Sequence, residues 1–158
     1  GQHNGVFTLN DGSVTVKDGA VTGGKFTINI GSLKITDKDT AGSSKLAGHL
    51  LSPDFFDAAK FGTASFEITS VEVYDSTKVK SLLSGATHII SGNLTLKDST
   101  KNVSFPAQVT VTDAGVTTVA DFNIDRSNWG LSYGNDKSLG DKFIRPEVNI
   151  KLNITAKK

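Results

Sequence analysis

The fold of this chain is decided by one stretch near its C-terminus, which reads EVNIKLNI at residues 147–154. Apolar side chains occupy every second position, and Glu, Asn or Lys stands at the positions between them. Alternation with a period of two is typical of a β-strand with one buried face and one face in water. Similar alternation recurs at residues 26–30, 66–69, 88–96, 103–111 and 116–124. The wet faces therefore point outward, and the apolar faces enclose either one another or an apolar guest.

Length and composition exclude several classes of protein. The 158 residues predict a single domain over residues 1–158, and the lack of cysteine excludes disulfides and thiolate metal sites. The formal net charge is +1 and the charges are interspersed, so we expect no nucleic-acid partner. No apolar run approaches the roughly 20 residues that cross a bilayer as a helix, so we expect no integral membrane segment.

Turn and bulge signals divide the strands. Asp11-Gly12 and Asp18-Gly19 are dipeptides that favour tight hairpin turns. The apolar parity switches at Gly31 and again near Ser70, and a slip of one residue predicts a β-bulge or a sharp bend. Pro106 lacks a backbone N–H, so it predicts an edge or a bulge where it interrupts its strand.

Two segments break the alternation. Residues 37–44 read as a polar loop, and residues 45–51 as a helical turn or short helix. Ser52-Pro53-Asp54 is typical of a helix start, because serine caps, proline suits the first turn and an acid complements the helix dipole. We expect this segment to lie over one end of the sheet. Residues 125–142 form a second, long polar loop.

Strands at near-regular spacing with short turns predict a sandwich or an up-and-down barrel, and consecutive hairpins favour the barrel. The sequence thus predicts an all-β fold, an antiparallel up-and-down lipocalin-like barrel of about eight strands with one or two short helices. A barrel of that size is just wide enough to be filled by side chains or to hold one slender ligand.

Five short motifs, in order along the chain, resemble the signatures of the YceI family. They read LAGHLLSPDFFD at residues 46–57, KFGTASF at 60–66, GNLTLK at 92–97, DRSNWG at 125–130 and LGD at 139–141. The resemblance implies a barrel that holds a polyisoprenoid, such as a quinone-type isoprenoid tail, in an interior tunnel. It also implies a periplasmic or extracellular location, with an export signal removed.

Two departures from the family pattern carry expectations of their own. The family usually has a strand before the segment that begins at Gly1, so the first family strand is expected to be missing here. An exposed edge would invite pairing with a second copy as a homodimer. Gly62 stands where the family usually has proline, which loosens the turn at that point.

The candidate ligand-binding residues are the inward apolar side chains, one polar side chain and the cover of the barrel end. We predict the following tunnel wall: Phe26, Ile28, Phe66, Ile68, Ile90, Leu94, Leu96, Phe105, Val109, Phe122 and Ile150. Leu50, Phe55 and Phe56 are expected to cover one end, and His88 is placed to meet a ligand head group. For each of them the alternative is ordinary packing inside a filled barrel.

Catalytic residues, metal ligands and cofactors other than a bound lipid are not predicted. The sequence has no Gly-x-Ser-x-Gly motif, and its three histidines show no metal-binding spacing. Asp125, Arg126 and Asp141 are expected to form ion pairs that hold the long loop, with Trp129 as a packing anchor. Two other functions stay open, namely an interaction module with a filled barrel and an enzyme acting on a small apolar substrate.

Overall fold

The computed structural model describes residues 2–157, with the backbone alone for residues 141 and 142. In chain order, the elements are β1 (Gly5–Lys17), β2 (Ala20–Ile35), α1 (Thr40–Leu50), β3 (Thr63–Val73), β4 (His88–Leu96), β5 (Ser99–Thr112), β6 (Gly115–Asp125), a first 3₁₀ helix (Arg126–Trp129), a second 3₁₀ helix (Lys137–Lys142) and β7 (Glu147–Lys157).

The strands form one antiparallel sheet in which each strand pairs with the next along the chain. The sheet curls into a nearly closed barrel, so the predicted all-β, up-and-down class is confirmed. Seven strands are present in the described residues, where about eight were expected. No ladder joins β1 to β7 in that part of the chain, and we call the line where these two edges face each other the seam.

One of the two predicted tight turns is correct. Asp18 and Gly19 both have positive φ angles, 53° and 77°, as a two-residue hairpin turn between β1 and β2 requires. Asp11-Gly12 instead lies inside β1, and that prediction is wrong. Gly12 faces Phe26 across the ladder, where a Cβ atom would collide with the phenyl ring. The glycine makes room for a ring and does not turn the chain.

The parity switches mark interruptions of the ladders, as predicted. The pairing of β3 with β4 slips between Ile68 and Ser70, and residues 30–33 of β2 have no partner between Val6 and Thr8 of β1. Pro106 also acts as predicted, because the pairing of β5 with β6 ends at its neighbour Ala107. The two strands diverge beyond that point.

The helix lies earlier in the chain than expected. It starts inside the predicted polar loop, where Asp39 caps it by accepting a hydrogen bond from Gly42 N–H at 2.7 Å, and it ends at Leu50. The predicted helix start at Ser52-Pro53-Asp54 is wrong. Ser52 donates its hydroxyl to the carbonyl of His49 instead, and the chain crosses the barrel end in successive turns. The short α1 and these turns close the end of the barrel that we call the helix end.

Two apolar clusters lie inside the barrel. The first lies toward the helix end and includes Ile30, Phe55, Leu94 and Trp129. The second comprises Ile90, Phe105, Ala107 and Ala120, toward the opposite end, which we call the hairpin end. The same half-buried side chains pack against both clusters, namely those of Phe66, Val103 and Phe122.

Candidate functional site

Arg126 holds the long loop at the helix end. Its guanidinium donates to the carbonyls of Tyr133 and Ile144, both at 2.9 Å, and to that of Arg145 at 3.1 Å. It also donates to the carbonyl of Leu131. The side chain is buried, and burial lowers its pKa from the ordinary arginine value. One side chain thus gathers backbone segments far apart in the chain.

The expected ion pair between Asp125 and Arg126 is absent from the described residues, so that part of the prediction is wrong. Asp125 instead accepts hydrogen bonds from the N–H and hydroxyl of Ser127, which hold the pKa of its carboxyl below the ordinary value. Carbonyl oxygens satisfy Arg126 because the loop folds around it. The side chain of Asp141 lies outside the described residues.

Aromatic side chains complete the closure of the helix end. Trp129 is buried and donates its indole N–H to the carbonyl of Leu94 at 2.8 Å, so its predicted anchoring role is confirmed. The buried ring of Phe55 meets Tyr133 edge-on at 5.3 Å and lies 5.6 Å from the Arg126 guanidinium carbon. Phe56 and Leu50 are half-buried and pack against the same cluster.

The predicted wall residues lie on the strands with different degrees of burial. The buried ones are Phe26, Ile90, Leu94, Leu96 and Phe105. The half-buried ones are Ile28, Phe66, Ile68, Val109, Phe122 and Ile150. Phe105 contacts Phe122 in a parallel stack at 4.0 Å and Phe66 at 5.7 Å between ring centroids. These three rings, which we call the waist, lie where the two apolar clusters meet.

A cavity of about 200 Å³ opens at the hairpin end of the barrel. Apolar side chains from three strands line it, together with His88 and the turn at Gly19. His88 Nδ1 lies 2.8 Å from the hydroxyl of Thr87, so one of the two imidazole nitrogens is already hydrogen-bonded. The cavity brings together two of the predicted residues, His88 and Val109.

A second cavity, of about 220 Å³, lies where β5 and β6 diverge toward the helix end. Phe122 is the one predicted wall residue that lines it. Asp125 and Trp129 also line it, although the sequence predicted only loop-holding roles for them. Sequence reasoning missed the remaining lining residues, which are Val103, Ser104, Asn123, Ile124 and Asn128. Pro106 was the available signal, because a proline inside an alternating run marks the place where pairing stops.

The seam exposes apolar side chains of the inner face. Residues directly opposite each other in a ladder share a face, so Leu9, opposite Ile28, and Val148, opposite Ile124, both belong to the inner face. Leu9 is 42% exposed, and Val148 is 39% exposed. Val16 shares this face and is 42% exposed. The alternation predicted the inner face of β7 and did not single out that of β1.

Neither a metal-binding group of side chains nor a membrane-spanning helix is found among the described residues. Across residues 2–157, no three His, Asp or Glu side chains are grouped so as to hold a metal ion. Within the same range, no helix combines the length and the apolar character needed to cross a bilayer.

The fold is thus an antiparallel meander barrel with an apolar inner face, closed at the helix end by α1 and the turns that follow it, and without a ladder between β1 and β7 in the described residues. The family model of the YceI-like domain matches residues 1–156, and the chain therefore belongs to the YceI-like domain family. The resemblance seen in the motifs is confirmed.

Solved structures agree with this assignment at the level of the fold. The Campylobacter jejuni YCEI protein is similar at 17% identity with a TM-score of 0.72, over 100% of this chain and 86% of that one. Burkholderia cenocepacia BcnA is similar at 20% identity with a TM-score of 0.71, over 97% and 87%. A polyisoprenoid binding domain from Saccharophagus degradans is similar at 12% identity with a TM-score of 0.60, over 96% and 97%. No curated protein matched the sequence.

Proposed function

We propose that this protein binds a long apolar lipid, a polyisoprenoid or quinone-type isoprenoid, and carries or stores it without chemical turnover. The observation that carries the proposal is the apolar inner face left open along the seam. Large apolar side chains that share one surface and face water are typical of a binding site. A lipid tail lying along the inside of the seam would cover Leu9, Val16 and Val148 together.

The energetics suit such a ligand. An isoprene unit has five carbons, and at about 0.8 kcal/mol per buried carbon each unit gains about 4 kcal/mol on leaving water. The cost of ordering the tail and of association reduces this gain strongly. The inner face of β1 from Phe7 to Val16 spans roughly 30 Å at about 3.4 Å per residue, which suits an extended tail.

Family membership adds support of a second kind. The YceI-like family includes this chain, and the Saccharophagus degradans domain that shares its fold is a polyisoprenoid binding domain. The proposal extends to a periplasmic or extracellular location, which fractionation of the source cells would test.

The first test asks whether lipid is bound at all. Protein purified without detergent is analysed by native mass spectrometry and solvent extraction, then stripped of lipid and titrated with a polyprenyl quinone while its melting temperature is followed. We expect a bound apolar species and a rise in melting temperature, because a ligand that binds only the folded state stabilises it. The absence of both would overturn the proposal.

A matched pair of variants locates the lipid at the seam. Val16→Gln places an amide on the inner face of β1, whereas Val6→Gln changes the outer face of the same strand, opposite Lys34. Both valines are partly exposed, at 42% and 49%. We expect Val16→Gln to weaken binding of the polyprenyl quinone about tenfold and Val6→Gln to leave it unchanged. Equal effects would place the lipid elsewhere.

One observation favours a second function, that of a protein-interaction module with a filled barrel. The waist rings are in contact, and each of the two cavities is smaller than the roughly 300–1,000 Å³ typical of small-molecule sites. The edges of β1 and β7 would then bind an extended segment of a partner by strand addition. Lipid-free protein that captures such a segment without a change in melting temperature on adding lipid would favour this function.

A further inference from the structure

The wall of the barrel forks between β5 and β6. Their pairing runs from Thr112 opposite Gly115 to Ala107 opposite Ala120 and ends there. Beyond the fork, residues 99–106 of β5 pair with β4 alone, and residues 121–125 of β6 pair with β7 alone. The cavity of about 220 Å³ occupies this fork.

Backbone polar groups of both strands point into the fork. The carbonyl of Ala107 accepts from Thr87 N–H, so the backbone of Ala107 faces β4, and alternation turns that of Ser104 toward the fork. On the other side, the carbonyl of Phe122 accepts from the side chain of Asn149 on β7, so Asn123 faces the fork. Backbone N–H and C=O groups outside a ladder are ready to bind a polar ligand.

The side chains divide the cavity into an apolar floor and a polar rim. Val103, Phe122 and Trp129 belong to the floor, and the first two pack against both apolar clusters of the interior. The rim residues are Ser104, Asn123, Asp125 and Asn128. The Ser104 hydroxyl shares a hydrogen bond with that of Ser91, and the Asn123 amide oxygen accepts one from Asn149. The floor therefore adjoins the barrel interior, while the rim opens to water.

The rim carries a negative charge and its lining includes no basic residue. Hydrogen bonds from Ser127 lower the pKa of the Asp125 carboxyl, so this group is ionised at neutral pH. The neighbouring Arg126 is turned away, since its guanidinium is occupied by carbonyls of the loop between residues 131 and 145.

We infer that the fork holds the polar head group of the bound lipid and selects an uncharged head group, a carbonyl or hydroxyl, over a phosphate. The inference rests on the proposed function, because it needs an apolar tail in the interior. The backbone groups of Ser104 and Asn123 that face the fork, together with the Asn128 amide, satisfy a neutral hydrogen-bonding head group, whereas the Asp125 carboxylate repels a phosphate.

The test compares a polyprenol with its monophosphate at equal chain length, both presented in phosphatidylcholine vesicles to the lipid-free protein. We expect the alcohol to bind about three- to tenfold more tightly, with a difference that shrinks at high salt because the carboxylate is exposed to solvent. Equal affinities, or tighter binding of the phosphate, would overturn the inference and leave the proposed function standing. Binding of neither lipid would overturn both.

A matched pair of variants assigns the selectivity to the fork. Asp125→Asn removes the charge and retains an oxygen that can cap Ser127, whereas Asp113→Asn removes a charge from the turn at the far end of the same two strands. We expect Asp125→Asn to raise the affinity for the monophosphate toward that for the alcohol, and Asp113→Asn to leave the ratio unchanged. Equal behaviour of the two variants would contradict the inference.

Trp129 supplies a direct readout of position, since it is the one tryptophan of the chain and lies in the cavity floor. A benzoquinone head group on a short isoprenoid tail quenches indole fluorescence on contact. We expect saturable quenching by this probe and little quenching by the same tail without the ring. Binding without quenching, as measured by a shift in melting temperature, would place the head group outside the fork.

Discussion

The wall formed by β4, β5 and β6 differs from the seam between β1 and β7 in the burial of its apolar side chains. Both regions alternate apolar and polar residues, but the apolar face is buried in the wall and exposed at the seam. In the wall, Ala107 is 0% and Phe105 2% exposed, whereas at the seam Leu9 and Val16 are each 42% exposed. Ala107 has β4 on one side and β6 on the other, and Phe105, which lies beside the fork, is covered by the rings of Phe66 and Phe122. By contrast, β1 and β7 each have one neighbouring strand. Alternation therefore tells which face is apolar, and the neighbouring strand decides whether that face leaves water.

The largest contrast is expected from removing one phenyl ring on each side of this comparison. Phe105→Ala removes a buried ring that contacts Phe66 and Phe122 and should cost about 4 kcal/mol of unfolding free energy. Phe7→Ala removes a ring on β1 that is 38% exposed and touches Phe56 edge-on, and should cost about 1 kcal/mol. Urea denaturation of both variants measures the difference, and similar losses would mean that the seam is packed as tightly as the wall.

The next effect concerns the plug at the helix end. Arg126→Ala leaves the carbonyls of Leu131, Tyr133 and Ile144 without their donor and should cost about 2–3 kcal/mol. Arg145→Ala is the control, because Arg145 has an exposed side chain and contributes only its carbonyl to this cluster. Unfolding curves followed by Trp129 fluorescence report both, and an unaltered midpoint for Arg126→Ala would show that water replaces the guanidinium freely.

A smaller effect is expected at the seam itself. The double variant Leu9→Lys/Val16→Lys puts charges on a surface already in contact with water, so the unfolding free energy should change by less than about 1 kcal/mol. We expect the same charges to abolish any homodimer that pairs its seam edges with a second copy. Sedimentation velocity at several concentrations checks this, and a dimer that survives both lysines would involve another surface.

The smallest expected effect is that of acid. Hydrogen bonds hold the pKa values of Asp37, Asp125 and Asp136 below their ordinary value of 3.8, chiefly from Asn4, Ser127 and Ser138 respectively. A carboxyl with a lowered folded-state pKa stabilises the protein above its unfolded pKa, and this contribution is lost as the pH falls through the folded value. Stability should therefore decline only below about pH 4, as these carboxyls become protonated.

Trp129 fluorescence and amide exchange would follow that decline. The variant Asp136→Asn retains a capping oxygen and lacks the titrating group, so it should flatten part of the acid response. A stability that rises between pH 4 and pH 2 would contradict the assignment of these shifts.

The sequence was sufficient for features that depend on local periodicity. Strands β2 to β7, their inner faces and the slips near Gly31 and Ser70 follow from positions of apolar residues that lie two apart, whereas the single long strand β1 was not predicted. The helix at Thr40–Leu50 was misplaced because its cap, Asp39, stands among other polar residues and resembles a loop. Ser52-Pro53-Asp54 is a stronger local signal for the start of a helix, but the chain forms successive turns there and no helix begins.

Features that depend on contacts between distant residues were beyond the sequence. Arg126 meets carbonyls up to 19 positions away, and nothing in its own neighbourhood distinguishes it from an arginine in an ion pair. The fork could be predicted only from the positions at which pairing stops on both β5 and β6, and Pro106 indicates this position for β5 alone. The predicted wall residues remain a prediction for lipid contact, because the structure gives their places on the strands and not their ligand.

The seam allows this barrel to change its circumference more easily than a barrel whose strands are all hydrogen-bonded to both neighbours. Since no ladder joins β1 to β7 within residues 2–157, drawing these strands apart breaks no hydrogen bond between them. The circumference of the barrel can then change through small changes of curvature that are shared among the six strand pairings. Under the proposed function, lipid tails of different thickness would be accommodated at little cost in backbone energy.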